Sequence, residues 1–142
     1  MKNDLTPVSR IALLWAGIVI GCSFIATSAK FLAPDLSLPV ALEVGRATFR
    51  SVGIIESLLA LAIIFSMFRS GRYRWQCWVA VVLFSIEWLF VMPALDRLTV
   101  LEISGAKSSG SYLHIIVVLM ECAKLVLLLW IGFARNISLA KA

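Results

Sequence analysis

FLAPDLSLPVALEVGRATFR, running from Phe31 to Arg50, decides how this chain is read, because the sequence uses it twice. Laying Phe31 on Phe90 brings FVMPALDRLTVLEISGA, Phe90 to Ala106, over it. Pro34 then falls on Pro93, Leu36 on Leu95, Leu42 on Leu101, Glu43 on Glu102, Val44 on Ile103 and Ala47 on Ala106. Each copy separates two long apolar runs. The pattern predicts one unit, helix, proline-bearing turn, helix, written twice. With a small further shift, VGIIES around Glu56 matches VVLMEC around Glu121, which carries the repeat into the second helix of each unit. Two spans per unit imply parallel repeats related by an axis along the membrane normal.

Working outward, the apolar runs on either side of each copy set the fold class. Hydrophobic residues make up 61% of the 142 residues and charged residues only 15%, outside the balance of a water-soluble domain. A run of about 18 apolar residues crosses a hydrocarbon core of about 30 Å at about 1.5 Å per residue. Four such spans are expected, near 11–33, 44–68, 75–94 and 112–134. The chain therefore reads as a single all-α membrane domain over 1–142, a bundle of four transmembrane helices built as two tandem hairpins. Pro34, Asp35, Ser37 and Pro39 close the first corner, since proline ends a helix by withholding a donor. The third span is expected to end at Met92-Pro93. Asp96-Arg97 then opens a longer connection through Lys107, Ser108, Ser109 and Gly110 to Ser111, flexible by composition.

The formal charge of +5 would suggest nucleic acid in a soluble chain, but its distribution argues for topology. Lys2, Arg10, Arg69, Arg72, Arg74, Arg135 and Lys141 all flank span ends that an even-numbered bundle places on one side. The positive-inside rule puts that side, with both termini, in the cytoplasm of a cell (inner) membrane. Trp75, Trp78 and Trp130 near the same ends fit an interfacial aromatic belt. No nucleic-acid partner is expected.

Cys22, Cys77 and Cys122 form no CxxC pair and fall inside apolar segments, the pattern of small packing residues. Val19-Ile20-Gly21-Cys22 also has the form of a lipoprotein cleavage box, although apolar sequence continues past it to Ala33. Gly17 and Gly21 make a GxxxG, which lets two backbones approach closely in lipid. Its partner is either another helix of this chain or a second copy.

Ionisable residues within spans are costly and face the bundle interior or water. Lys30, Arg46, Arg50, Glu56, Glu87, Glu121 and Lys124 all qualify. Counting inward from Arg46, Trp75 and Tyr112, the carboxylates of Glu56, Glu87 and Glu121 lie roughly 13 to 18 Å deep, in the middle third of the membrane. Arg46, Arg50, Gly53 and Ser57 recur at helical spacing, and His114, Glu121 and Lys124 share one face of the fourth span. Two readings stay open. The charges form a hydrated site for a cation, proton or small polar solute, where three carboxylates with His114 suit a divalent Mn, Fe or Zn ion. Or four bases and three acids pair into salt bridges that fix helix register. No HExxH, GxSxG, P-loop or dinucleotide fingerprint is present. The lone His114 cannot supply both axial ligands of a membrane haem. The chain is not expected to be an enzyme, and the sequence specifies no cofactor.

SAKFLAP closing the first span, LPVALEVGRATFR leading into the second, EWLFVMPALDRL at the end of the third, and His114, Glu121 and Lys124 in the fourth together resemble a known family. It is the transmembrane-protein-205-like family of four-helix membrane proteins of unknown function. The resemblance implies four membrane helices and a link to solute or drug export in eukaryotic relatives. It supplies no catalytic residues, and the long cytoplasmic loop of the eukaryotic members is missing from this chain.

The residues then support two functional expectations. One is a small transporter or channel-like protein for an ion, metal or polar solute, using Glu56, Glu87 and Glu121 balanced by Arg50 and Lys124, and self-associating through Gly17 and Gly21. The other is an accessory or assembly subunit held among other membrane subunits. Arg46 and Arg50 face Gly105 and Ser109 in the second copy, so the first corner is the expected functional one.

Overall fold

In the computed structural model, residues 7–32, 35–70, 75–105 and 111–139 are described. They form four helices: α1 (Pro7–Ala29), closed by a tight turn over Lys30–Leu32; α2 (Leu38–Ser70); α3 (Trp75–Ile103); and α4 (Ser111–Leu139). All four carry stretches long and apolar enough to cross a membrane. The protein is an all-α, four-helix membrane bundle. α1 packs on α2 and α4, and α3 packs on α4 and α2, so each helix runs antiparallel to both neighbours. Leu61, Phe65, Leu119 and Val126 point outward and exposed, as lipid-facing side chains do and as a surface in water would not tolerate over such an area.

The spans differ from the expected boundaries for reasons visible in the backbone. α2 starts at Leu38, with Pro39 in its first turn, where a missing N–H costs nothing. The expected stop at Met92-Pro93 does not occur: α3 runs through Pro93 to Ile103. The turn before the proline widens to π geometry over Glu87–Val91, and Met92 N–H bonds back to the Glu87 carbonyl. That widening relieves the clash of a proline ring with the carbonyl four residues earlier, here Leu89. The reversal comes instead at Ser104 and Gly105, whose φ of 82° is left-handed backbone that glycine adopts without a Cβ penalty. The two copies of the repeat therefore fold differently, a corner in the first and continuous helix in the second. Asp96 and Arg97, expected in a loop, are helical. α1 carries a second π segment, Val19–Ala26.

Along its axis the bundle has three layers. At the end carrying Pro7, Ser70 and Trp75, Trp15, Ile63, Met67, Cys77, Leu128 and Ile131 form a closely packed apolar core. Above it lies a buried charged layer, and above that a cavity reaches toward the corner at Asp35. Arg10 and Arg69 are exposed at the packed end, and Trp75 and Trp130 meet edge to face there at 6.2 Å between centroids. Lys2, Arg72, Arg74 and Lys141, and the side chain of Arg135, lie outside the described residues. Of the thiols only Cys77 is buried; Cys22 is half-buried and Cys122 exposed. Gly17 and Gly21 have no neighbour within 4 Å of a Cβ position, so no described helix of this chain is their partner.

Candidate functional site

Three helices deliver one glutamate each to a single nitrogen. Lys124 of α4 is fully buried. Its Nζ lies 3.1 Å from Glu56 of α2, 3.0 Å from Glu87 of α3 and 3.2 Å from Glu121 one turn earlier on α4. The fourth helix contributes neutral donors. Trp15 Nε1 donates to Glu56 Oε1 at 2.7 Å, and Ser23 Oγ to Glu121 Oε1 at 3.3 Å. Below the ammonium, the Phe84 ring lies 5.6 Å away. Trp15 meets that ring edge-on and Trp88 stacks beside it, so the lysine sits on an aromatic floor that favours a cation.

Local backbone explains how the groups converge. Both π turns border the layer: Glu87 opens the one in α3 and Ser23 sits in the one in α1. A π turn rotates the residues on either side relative to an unbroken helix, and such turns gather at functional sites. Glu56 and the core residues Ala60, Ile63 and Met67 share the inward face of α2, at the spacing of helical turns.

The charge of this layer is unbalanced. Among the described residues three carboxylates face one ammonium, and α1 adds only the neutral indole and hydroxyl. Glu87 Oε1 and Glu121 Oε2 are buried with no hydrogen-bond donor among the described residues. An uncompensated buried charge costs several kcal/mol, so three ionised carboxylates against one ammonium are costly as they stand. Bringing Glu56, Glu87, Glu121 and Lys124 together agrees with the sequence. The even pairing of four bases with three acids does not occur. Arg46 and Arg50 are not in this layer: Arg46 binds Asp96 through Nε at 2.7 Å and a second nitrogen at 3.1 Å, and Arg50 reaches the same carboxylate at 3.4 Å. The reason is the uninterrupted α3, which lifts Asp96 beside α2 instead of releasing it into a loop.

His114 is likewise apart from the glutamates. It is exposed and lines the cavity above them. Among the described residues no group of three or more His, Cys, Asp or Glu side chains is arranged to hold a metal ion; the Lys124 ammonium fills the space between the carboxylates that such an ion would take.

That upper cavity, about 570 Å³, has Lys30, Arg46, Arg50 and Asp96 on its walls and Phe49, Trp88 and Met92 at its base. The same three base residues also line a small void against Glu56, Glu87 and Glu121. Cavity and charged layer are separated by one set of side chains. Trp88 can lie there because Gly53 faces it: a Cβ at that position would collide with the indole ring.

Sequence reasoning missed Asp96, Trp15, Ser23 and Trp88. Asp96 had a signal, an acid placed to follow Arg46 and Arg50 once α3 is helical. Trp15 and Ser23 had none beyond being polar atoms within an apolar run. No known family model, curated protein or solved structure matches this chain.

Proposed function

We propose that this protein is a small proton-coupled transporter of the cell (inner) membrane, with both termini cytoplasmic and the cavity opening to the other side. One observation carries the reading: a fully buried layer in mid-bundle with three carboxylates against one lysine, two of whose carboxylate oxygens lack a donor among the described residues. With every group ionised the layer is doubly negative, and neutrality requires two further protons or cations. A layer reached from an open cavity through one aromatic partition is placed to load and release them. The family resemblance, with its implied export role, points the same way. Self-association through the open Gly17–Gly21 face belongs to the same reading.

Potassium-loaded proteoliposomes holding a pH dye, energised with valinomycin, test this. Protein-dependent proton movement is expected, and Glu87→Gln or Glu121→Gln should suppress it while the protein still unfolds cooperatively. Unchanged movement in both variants removes the proposal.

A second reading rests on the same lysine. An ammonium touching one carboxylate from each of three helices fixes their register, which suits an accessory subunit. Co-purification of a defined partner from native membranes in mild detergent would favour it; a lone monodisperse homo-oligomer would count against it.

A further inference from the structure

We infer that the upper cavity is the binding site of an amphipathic organic anion, a carboxylate, sulfonate or phosphate ester with an apolar body. This deepens the transport reading by naming the cargo class, and the binding it asserts is measured without transport.

The size is that of a small-molecule site, since about 570 Å³ falls within the usual range of about 300 to 1,000 Å³. The walls divide by chemistry. Leu42, Phe49, Ile54, Trp88, Met92 and Leu95 are apolar and would cover a hydrocarbon or aromatic body. The polar part is cationic. Two guanidiniums, Arg46 and Arg50, share the single carboxylate of Asp96, leaving one positive charge beyond that pairing. Lys30 brings its ammonium to the same wall against Gly45. Glu43, exposed on α2, acts on Arg46 electrostatically but does not line the cavity.

Arg46 and Arg50 are not equivalent. Arg46 is half-buried and held by two hydrogen bonds. The Arg50 side chain is 67% exposed and touches Asp96 at 3.4 Å only. Arg50 is therefore the group free to turn its fork onto an incoming anion, a geometry suited to carboxylate and phosphate. The apolar body of such a ligand would rest on Trp88, whose other side faces the glutamate layer. A negative cargo above and the glutamate layer below lie across one partition, so occupancy of the cavity bears on the protonation of the layer.

The test compares two probes with the same tail and opposite heads, octanesulfonate and octyltrimethylammonium, by thermal unfolding of the purified full chain in detergent. Octanesulfonate should raise the unfolding temperature in a saturable way and the ammonium should not. Arg50→Gln should weaken sulfonate binding about tenfold, the worth of one charged hydrogen bond. Asp96→Asn, which removes the competing carboxylate, should tighten it. Effects of opposite sign at two residues of one ion-paired cluster distinguish ligand binding from a general loss of fold. Repeating the titration in nanodiscs separates two sources of the same chemistry. Displacement of the sulfonate by phosphatidylglycerol but not phosphatidylcholine assigns the site to an anionic lipid headgroup; no displacement assigns it to a free solute. Equal stabilisation by both probes, or none by either, overturns the inference. Sulfonate binding without proton movement would overturn the transport reading and leave the anion site standing.

Discussion

Trp15 Nε1 donates a 2.7 Å hydrogen bond to Glu56 Oε1, tying α1 to the carboxylate layer through a fully buried indole. The indole does what a water molecule would do if the layer were wet: it satisfies one carboxylate oxygen while Lys124 satisfies the other at 3.1 Å. Glu56 is thus the fully coordinated member of the three, and Glu87 and Glu121 are the members with an oxygen left over among the described residues.

Trp15→Phe keeps the ring and deletes the donor. A hydrogen bond to a charged group is worth about 1.5–3 kcal/mol, so stability to thermal unfolding in detergent should fall by an amount in that range. Adding Glu56→Gln should recover part of the loss, because a neutral amide tolerates a missing donor better than a carboxylate. Equal destabilisation in the single and double variants would show that the indole acts by packing alone.

Lys124→Met removes the ammonium and leaves three buried carboxylates facing one another. Breaking a buried charge pair from one side costs about 3–5 kcal/mol, enough to unfold a marginal bundle. Expression and detergent stability should collapse. The quadruple variant with Glu56, Glu87 and Glu121 each changed to Gln should fold again, because no charge remains in the layer. If it does not, the fold depends on Lys124 for something other than charge compensation.

The helices were legible in the sequence because twenty-residue apolar runs leave few alternatives. Glu56, Glu87, Glu121 and Lys124 were legible as a group because charge in a span is costly anywhere except against other charge. Two features were hidden. Proline at position 93 reads locally as a stop, and only packing against α2 and α4 decides that the helix continues by widening one turn. The allocation of Arg46 and Arg50 to Asp96 instead of the glutamates comes from that single decision. The resemblance between the two corners in sequence did not carry over to backbone: the first copy turns over residues 35–37 before α2 begins at Leu38, whereas Pro93 in the second only deforms a helix that continues.

Pro93→Ala tests that decision. Without the ring, the turn over Glu87–Val91 can return to α geometry. Losing its extra residue rotates the part of α3 before Glu87 by about 100° relative to the part beyond Met92. Either Glu87 leaves the lysine or Asp96 leaves Arg46. Alanine itself favours helix, but the loss of an ion pair on one side or the other outweighs that gain, so the variant should unfold at a lower temperature. Its proton movement in liposomes should drop as it does for Glu87→Gln. Full proton movement with unchanged stability would mean the wide turn does not position Glu87.

Gly53→Ala probes the partition between cavity and charged layer. The new methyl group points into the six-membered ring of Trp88, so the ring must shift. Overpacking of this kind costs about 1–3 kcal/mol and pushes the indole off its stack with Phe84, now at 6.5 Å between centroids and nearly parallel. Trp88→Leu opens that space, so the double variant should be more stable than the sum of the two single changes predicts, a coupling measurable by a thermodynamic cycle. The same double variant removes the indole from the wall between cavity and glutamates, leaving Phe49 and Met92. Proton movement through it should become faster and less dependent on a bound anion, because the layer is then reached more directly from the cavity. Additive stabilities would show that the two side chains do not meet.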